Sequence, residues 1–490
     1  MLFNSMTFLV FFAVVVLMYY SLAYKHRWVL LFVASCIFYS AFVPEYLLIL
    51  FAIILIDYWA ARIIDKVDDK KKKKIWLGVS ILSTCSILVL FKYFNFFSVN
   101  ISALATFFHW NYDPVLLKWI LPIGLSFHTF QSLSYVFEVY HGRQQPEKHL
   151  GIYATYVMFF PQLVAGPIER PQNLLPQFRE KYPLLYKNFS IGFRLALYGF
   201  FKKMVIADNL APYVDQVYNN PDNYGAGVTV LVTFFFAVQI YCDFSGYSDI
   251  ALGTARIMGF KLMTNFRQPY FSTSIPEFWR RWHISLSTWF RDYVYVPLGG
   301  NKVDRWRWYY NLFIVFLLSG IWHGAGWTFV IWGLLHWGYY LFYYSTKRVR
   351  TRMAHLSGLY NYPAVNSLIS GLVTFLAVVF AWIAFRAKDI ATVNDMLHNM
   401  IALKGSFASD IKNLVRQVQL AEPASSAMHY IVCSLLVFII VEIAISYKRT
   451  LPVFVSAPRV LRWGTYYGLL IWIYLFGVYD NAPHFIYFQF

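Results

Sequence analysis

The histidine at position 323 stands where proton transfer would be possible. It lies within Gly320-Ile-Trp-His-Gly-Ala-Gly326, in which the glycines allow close backbone approach and Trp322 and Trp327 would shield its imidazole from lipid. Histidine takes up a proton near neutral pH, so in a buried cleft it suits general-base activation of a hydroxyl that attacks an acyl carbonyl. A membrane histidine also serves as a hydrogen-bonding partner between helices, and the residues alone leave both interpretations open.

A dense group of ionisable residues precedes His323, between Ala237 and Asn301. Ionisable groups are costly near lipid, so these should face a water-filled cavity or pair with one another, and they are candidates for a functional site. The alternative for the arginines is a helix along the membrane surface with its charges solvated. His283 differs from them because it follows Trp282 and precedes an apolar and hydroxyl-bearing run. The members of the group are Asp243, Asp249, Glu277, Arg280, Arg281, His283, Arg291 and Asp292.

Several other chemistries lack their sequence signatures. The chain has no GxSxG elbow, glycine-rich phosphate loop or HExxH helix, so hydrolase, nucleotide-driven pump and metalloprotease functions have no support. Its four cysteines show no CxxC or Cys/His spacing. We therefore expect neither disulfides nor a bound metal.

The composition indicates the environment of these residues. The chain of 490 residues is 59% hydrophobic, 21% aromatic and only 13% charged, which is too apolar for one water-soluble core. The formal charge of +18 would raise the question of nucleic acid in a soluble protein, but in a membrane protein it usually sets topology, so we expect no nucleic-acid partner. Apolar segments recur without a long polar interruption, and residues 1–490 are predicted to form a single membrane-embedded domain.

Segments of about 20 apolar residues predict an all-α, polytopic fold with about 11 or more transmembrane helices. Residues 152–166 are apolar but short and contain Pro161, so they predict a re-entrant or interfacial element. The candidate spans are residues 3–22, 28–43, 46–63, 75–92, 115–139, 190–207, 227–243, 310–345 as a pair, 367–385, 428–446 and 462–479.

Basic residues predict the orientation of these spans, because short loops rich in Lys and Arg stay on the cytoplasmic side. The clusters at residues 25–27, 62–74, 143–148, 347–352 and 448–462 are all assigned to the cytoplasm. Both termini and residues 387–427 then lie on the extracytoplasmic side. The pair at residues 310–345 has basic flanks at both ends, so the chain enters and returns, with the turn near Gly320 to Gly326 deep in the protein.

Five motifs stand out in the central part of the chain. They are Pro161-Gln-Leu-Val-Ala-Gly-Pro-Ile-Glu-Arg170, Gln239-Ile-Tyr-Cys-Asp-Phe-Ser-Gly-Tyr-Ser-Asp249, Glu277-Phe-Trp-Arg-Arg-Trp-His-Ile-Ser-Leu-Ser-Thr-Trp-Phe-Arg-Asp292, Pro297-Leu-Gly-Gly-Asn301 and Gly320-Ile-Trp-His-Gly324. These motifs resemble those of the membrane-bound O-acyltransferase family, most closely its bacterial branch that O-acetylates alginate and other polysaccharides. The terminal Phe485-Ile-Tyr-Phe-Gln-Phe490 is similar to the endings of that branch. The resemblance is closest over about residues 122–344 and looser at the ends.

The resemblance implies roles for individual residues. His323 matches the family's central histidine and His283 its second polar position, so both are assigned as catalytic. The resemblance also implies a ring of helices around a central tunnel, in the inner membrane of a bacterium. The residues assigned as lining or supporting the site are Asp243, Asp249, Arg280, Arg281 and Trp322.

The function implied is transfer of an acetyl group from cytoplasmic acetyl-coenzyme A to an exported polysaccharide. The family pattern also implies an extracytoplasmic, hydrolase-like acetyltransferase partner that completes the transfer. One alternative is acylation or D-alanylation of another extracytoplasmic acceptor. Another is a transporter without bond chemistry, although we see no inverted repeat. The aromatic end at residues 485–490 is too short to span and suits docking or plugging a funnel, or simple interfacial anchoring.

The charge clusters make a testable prediction about orientation. A single cysteine placed within residues 387–427 should react with a membrane-impermeant maleimide in intact cells, whereas one placed within residues 68–74 should react only after the membrane is opened. The measurement is gel-based labelling of each variant before and after permeabilisation. Reversed labelling would overturn the orientation, and with it the assignment of the donor and acceptor faces.

Overall fold

In a computed structural model, the structure describes residues 1–119, 121–402, 405–421, 428–446, 456–479 and 485–488. Within these ranges the chain is helical and forms no strand, which confirms the all-α prediction. The chain divides into two compact units. The first comprises residues 1–196 and 248–264, and the second comprises residues 197–247 and 265–490.

The helices are numbered here in chain order. They are α1 Met6–Ser21, α2 Arg27–Ser40, α3 Tyr46–Lys66, α4 Lys70–Leu88, α5 Phe94–Phe107, α6 Leu125–Tyr140, α7 Leu150–Met158, α8 Pro171–Leu174, α9 Tyr186–Phe200, α10 Asp208–Asn219, α11 Ala226–Ile257, α12 Ile275–Arg281, α13 Ile284–Phe290, α14 Arg305–His323, α15 Trp327–Ser345, α16 Lys347–Leu356, α17 Pro363–Arg386, α18 Ile390–Ala402, α19 Phe407–Ala421, α20 Met428–Ser446 and α21 Arg459–Phe476. Wider π-helical turns follow α4 at Val89–Tyr93, α9 at Phe201–Ala207 and α13 at Arg291–Tyr295.

The first unit departs from the predicted spans at two places. The span predicted at residues 75–92 belongs to a helical segment that runs from Lys70 to Phe107 and includes α5. The span predicted from residue 115 begins only at Leu125, because two prolines precede it and Gly124 takes a left-handed conformation with φ of 74°. The short element predicted at residues 152–166 is the helix α7 and a series of turns that follow it. Proline at position 161 is compatible with this early end of the helix.

A buried carboxylate joins three helices of the first unit. Asp57 on α3 is fully buried and accepts hydrogen bonds from Ser80 Oγ at 2.6 Å on α4 and Ser132 Oγ at 2.5 Å on α6. Thr84 Oγ1 on α4 lies 3.3 Å from both of its oxygens. A carboxylate in an apolar interior is costly unless its oxygens are hydrogen-bonded, so these donors fix how α3, α4 and α6 pack.

The second unit contains the helical pair predicted at residues 310–345. Its arms, α14 and α15, have 19 residues each, or about 28 Å at a rise of 1.5 Å per residue. The two helices touch through glycine, since a Cβ added at Gly333 would lie 2.5 Å from the carbonyl oxygen of Phe316. The same added Cβ would lie 3.4 Å from the Cα of Gly320 on α14. Small residues allow helix backbones in membranes to approach this closely.

Two predictions in the second unit need correction. The span predicted at residues 227–243 belongs to a helix of 32 residues that continues to Ile257, because the polar residues that follow, such as Ser245 and Ser248, are buried within the fold. The segment at residues 387–427 was predicted as a long loop, but it contains α18 and α19. Each is amphipathic and buries only a few residues, such as Leu414 and Val418, so a search for long apolar runs misses them. Residues 403–404 and 422–427 of that segment lie outside the described residues.

The structure supports a multi-pass membrane protein. Five helical segments of the described chain are long and apolar enough to cross a membrane by length and composition. The count of about 11 or more spans, the central tunnel and the single domain stay predictions. The five segments are Tyr46–Lys66, Lys70–Phe107, Ala226–Ile257, Pro363–Arg386 and Met428–Ser446.

The close glycine contact between α14 and α15 can be tested with two alanine substitutions on α15. Gly333→Ala should lower the thermal midpoint, because the added methyl meets a backbone carbonyl that cannot move aside, and overpacking typically costs about 1–3 kcal/mol. Gly338→Ala on the same helix should be neutral or stabilising, since nothing lies within 4 Å of its added Cβ and alanine is the better helix former. Thermal unfolding of both purified variants in one detergent tests this. Equal midpoints would refute the close packing.

Candidate active site

The helical pair of the second unit carries His323 to a buried position. His323 is the last residue of α14 and is only 3% exposed. The helix begins at a cap, where the Asp304 side chain accepts hydrogen bonds from the Trp306 and Arg307 backbone N–H groups, both at 3.0 Å. It ends as the chain turns extended at Gly324. The imidazole thus sits beside the turn between α14 and α15, as the sequence predicted.

Aromatic rings enclose the imidazole of His323. The centroid distances are 4.8 Å to Trp332 on α15, 4.9 Å to the adjacent Trp322 and 5.1 Å to Phe385 on α17. Trp322 packs against the imidazole as predicted and is 5% exposed, whereas Trp327 is 52% exposed. Trp332 takes the place expected of Trp327, because it lies one and a half turns further into α15, where the helix faces α14.

His283 lies in the same unit and is also fully buried. Its backbone is left-handed, with φ of 41°, between α12 and α13. Flanking backbone bonds hold this conformation, from Ile284 N–H to the Asn265 carbonyl at 2.9 Å and from Arg267 N–H to the Arg281 carbonyl at 3.0 Å. Burial lowers the pKa of His283 to about 3, so the ring is neutral at physiological pH.

The two histidines border the same pair of rings. His283 lies 6.1 Å from Trp322 and 6.5 Å from Tyr487 between ring centroids, and His323 lies 4.9 Å and 5.5 Å from the same two rings. Both imidazoles are therefore buried beside one aromatic group.

Asp243 supports this region through an ion pair. Lys203 Nζ lies 2.7 Å from Asp243 Oδ1 and 2.7 Å from Asp208 Oδ1, and all three side chains are almost completely buried. The other oxygen, Asp243 Oδ2, accepts the Ile486 backbone N–H at 2.7 Å. Phe244, the next residue, packs against His283 with ring centroids 4.6 Å apart. Sequence reasoning missed Lys203 and Asp208, although buried charges within apolar helices are the signal that would have found them.

The remaining candidates are Asp249 and the two arginines at the end of α12. Arg281 pairs with Glu277 one turn earlier on α12, with Nη2 and Oε1 2.5 Å apart, and is partly exposed. Arg280 is exposed, which agrees with the surface interpretation of the arginines. Asp249 is partly buried on α11 and falls within the first unit. Roles for these three residues at the site stay predictions.

The carboxyl-terminal aromatic segment lies at the site rather than away from it. Phe485 and Ile486 are 1% and 2% exposed, and the Tyr487 ring packs at 4.6 Å from Phe244 in addition to its contacts with both histidines. This placement agrees with the plugging role and disagrees with simple interfacial anchoring. Residues 489–490 of the predicted hexapeptide lie outside the described residues. Among the described residues, no group of three or more His, Cys, Asp or Glu side chains stands close enough to hold a metal ion.

A helical membrane protein with two enclosed histidines fits a membrane-embedded transferase. Residues 78–385 match the membrane-bound O-acyltransferase family, so the chain belongs to that family and is an acyltransferase.

Curated relatives refine this assignment. The chain is 40% identical over 395 residues to the probable alginate O-acetylase of Pseudomonas putida, a match that covers 80% of the chain and 78% of that protein. It is 35% identical over 401 residues to the peptidoglycan O-acetyltransferase of Helicobacter pylori, covering 76% of the chain and 74% of that protein. It is 31% identical over 231 residues to the teichoic acid D-alanyltransferase of Bacillus subtilis, covering 44% of the chain and 56% of that protein.

The two histidines should respond differently to substitution. Replacing His323 by Ala or Gln should leave a folded protein whose turnover falls by about 10²- to 10⁴-fold if the ring is a base, and further if it is a nucleophile. Replacing His283 should leave measurable turnover that partly recovers at a high concentration of the acyl donor, as expected when ground-state binding is lost. Steady-state kinetics and thermal unfolding of the same preparations test both.

Two controls separate chemistry from folding. Because His283 has a left-handed backbone, His283→Asn should be compared with His283→Ala, since asparagine tolerates that conformation better. His336→Gln replaces another fully buried histidine, so it should affect stability more than turnover. Wild-type turnover by folded His323→Ala would overturn the catalytic assignment, and unfolding of that variant would favour a packing role.

Proposed function

We propose that this protein transfers an acetyl group from cytoplasmic acetyl-coenzyme A to an exported polysaccharide, with His323 as its central catalytic residue. The observation that carries the proposal is the enclosed position of His323 in a chain that belongs to an acyltransferase family. The relatives that match most of the chain are O-acetylases of exported polysaccharides by name.

The chemistry required is acyl transfer from a thioester to a hydroxyl. As a general base, His323 would take the hydroxyl proton while the oxygen forms a bond to the acetyl carbonyl carbon. The carbon–sulfur bond then breaks, and the departing coenzyme A thiolate takes the proton from the imidazolium. As a nucleophile, the imidazole would first displace the thiolate and form an acetyl-imidazole bond. That bond then breaks as the hydroxyl oxygen takes the acetyl group, and the hydroxyl proton balances the one that the thiolate takes up. Both routes end in an ester and free coenzyme A.

The aromatic enclosure supports either route. Trp322, Trp332 and Phe385 surround the imidazole with apolar surface, and water is the nucleophile that would otherwise hydrolyse a thioester or an acyl intermediate. A neutral His283 next to the same rings would orient the thioester or the acceptor by hydrogen bonding.

The proposal includes an orientation in the bacterial inner membrane, with both termini outside the cytoplasm. The basic clusters would then face the donor, where they attract the anionic phosphates of coenzyme A. The family pattern adds a central tunnel within a ring of helices and an extracytoplasmic, hydrolase-like partner that receives the acetyl group. Asp249, Arg280 and Arg281 are retained as supporting residues within this proposal.

Two alternatives make different predictions. D-alanylation is favoured by the D-alanyltransferase relative, but that match covers less than half of the chain. A transporter would move its cargo without bond chemistry, and then replacing His323 would not abolish ester formation as long as the cargo still crossed.

The test uses the native host, which supplies the partner and the acceptor. In a strain without this gene, ester-linked acetate on the exported polysaccharide should disappear, and wild-type protein should restore it while His323→Ala does not. Alkaline release of acetate and D-alanine from the same polysaccharide, followed by chromatography, measures both esters. Immunoblotting of the membrane fraction shows equal protein, and His336→Gln serves as the buried-histidine control.

Each outcome decides between the hypotheses. If the strain without the gene loses ester-linked D-alanine rather than acetate, the protein transfers D-alanine and the proposed acetyl donor is wrong. Full restoration of acetate by His323→Ala would favour the transporter. Unchanged acetate in the strain without the gene would refute the proposal.

A further inference from the structure

The carboxyl-terminal chain is anchored at two places, one directly on the π-helical turn Phe201–Ala207 and one linked to that turn through an ion pair. The first anchor lies at the end of α21. Here Val478 N–H donates to the Met204 carbonyl at 3.1 Å, and Asn209 Nδ2 donates to the Phe476 carbonyl at 2.9 Å. This anchor holds the chain as it leaves the last helix.

The second anchor holds the segment that reaches the histidines, residues 485–487, which we call the closing segment. In this segment the Ile486 N–H donates a hydrogen bond to Asp243 Oδ2 at 2.7 Å. The opposite oxygen of Asp243 pairs with Lys203, which belongs to the same π-helical turn and also pairs with Asp208. A hydrogen bond to an ionised acceptor is stronger than one between neutral groups.

The chemistry of the second anchor indicates that it positions the closing segment rather than that it raises the stability of the whole fold. Burying three charged side chains costs desolvation that their attraction offsets poorly, so such a triad is weak evidence for a stabilising role. The donor of the hydrogen bond to Asp243 is the backbone N–H of Ile486. The bond therefore fixes the position of the backbone and does not depend on the side chain at position 486. The next residue is Tyr487, whose ring lies 5.5 Å from His323 and 6.2 Å from Phe385 between centroids.

We propose that Asp243 is a positioning residue that latches the closing segment over His323, with Lys203 and Asp208 holding its carboxylate in place. The latch fixes the Ile486 N–H and thereby the Tyr487 ring that completes the aromatic enclosure. Opening the latch would admit water to the imidazole and misplace the ring. The effect on turnover rests on the proposed function, whereas the position of the segment does not.

The position is measured without any activity. In a chain whose four native cysteines are replaced by Ser or Ala, Tyr487→Cys reports the closing segment through its rate of maleimide labelling. Asp243→Ala should raise that rate, and Asp243→Asn, which keeps an acceptor oxygen, should raise it less. Ile486→Pro should raise it as Asp243→Ala does, because proline removes the N–H that Asp243 accepts. Proline is tolerated at the first residue of a short helical turn, here Ile486–Phe488.

A double-substitution cycle separates a latch from an ordinary structural triad. If Asp243 acts through the Ile486 N–H, the chain with both Asp243→Ala and Ile486→Pro should label no faster than either single variant. Ile486→Ala removes the side chain but keeps the N–H, so it should label more slowly than Ile486→Pro. Glu442→Gln is the matched control, because Glu442 is a buried carboxylate of the same unit whose oxygens accept hydrogen bonds from Tyr198 and Tyr241.

Kinetics with Tyr487 intact give the second measurement. Asp243→Ala should lower kcat by roughly 10- to 100-fold with little change in the KM for acetyl-coenzyme A, as expected for a misplaced catalytic group. Additive labelling in the double variant, labelling of Asp243→Ala at the wild-type rate, or equal effects of Ile486→Ala and Ile486→Pro would each refute the latch. Labelling as expected in a chain that fails the acetate test would uphold the latch and refute the proposed function.

Discussion

Polar groups inside an apolar membrane protein must find their partners within the chain, and this constraint organises both compact units. Water is absent from the hydrocarbon region, so an unsatisfied polar group there costs several kcal/mol. In this structure, buried charged side chains form short hydrogen bonds and ion pairs with other side chains of the chain. Asp57 receives three hydroxyls, Lys203 receives two carboxylates, and Glu442 on α20 accepts from Tyr198 at 2.8 Å and Tyr241 at 2.7 Å. Helices in lipid gain little from hydrophobic association, so such contacts help to determine which helices touch.

The same constraint shapes the surroundings of the histidines. An imidazole that is to take part in acyl transfer must be kept both from lipid and from bulk water. Aromatic rings meet both needs, because they exclude water, and Tyr and Trp also carry a polar group. The glycine contact at Gly320 and Gly333 brings α15 close enough for Trp332 to reach His323. The packing of the helical pair therefore sets the environment of the reacting ring.

The sequence predicted the parts of this arrangement that are encoded locally. The glycine-flanked motif placed His323 beside the turn of a helical pair, because the basic flanks and the length of residues 310–345 require the chain to return. It could not predict Phe385 or Tyr487 as neighbours of His323, since these residues are 62 and 164 positions away in the chain and only the packing of α17 and the closing segment brings them together. The amphipathic helices α18 and α19 were missed for a different reason, because apolar length is a signal for spans and not for helices at a surface.

Departures from regular backbone coincide with the residues that surround the chemistry. His283 keeps a left-handed conformation that costs on the order of 1–3 kcal/mol for most residues, and it does so because backbone bonds at Asn265 and Arg267 hold the chain on both sides. The π-helical turn at Phe201–Ala207 is a second departure, and wide turns of this kind occur frequently at functional sites. It presents Lys203 to Asp243 and the Met204 carbonyl to Val478 from a single turn. The same turn therefore contributes to both contacts of the carboxyl-terminal chain, directly through the Met204 carbonyl and indirectly through the Lys203 side chain on Asp243.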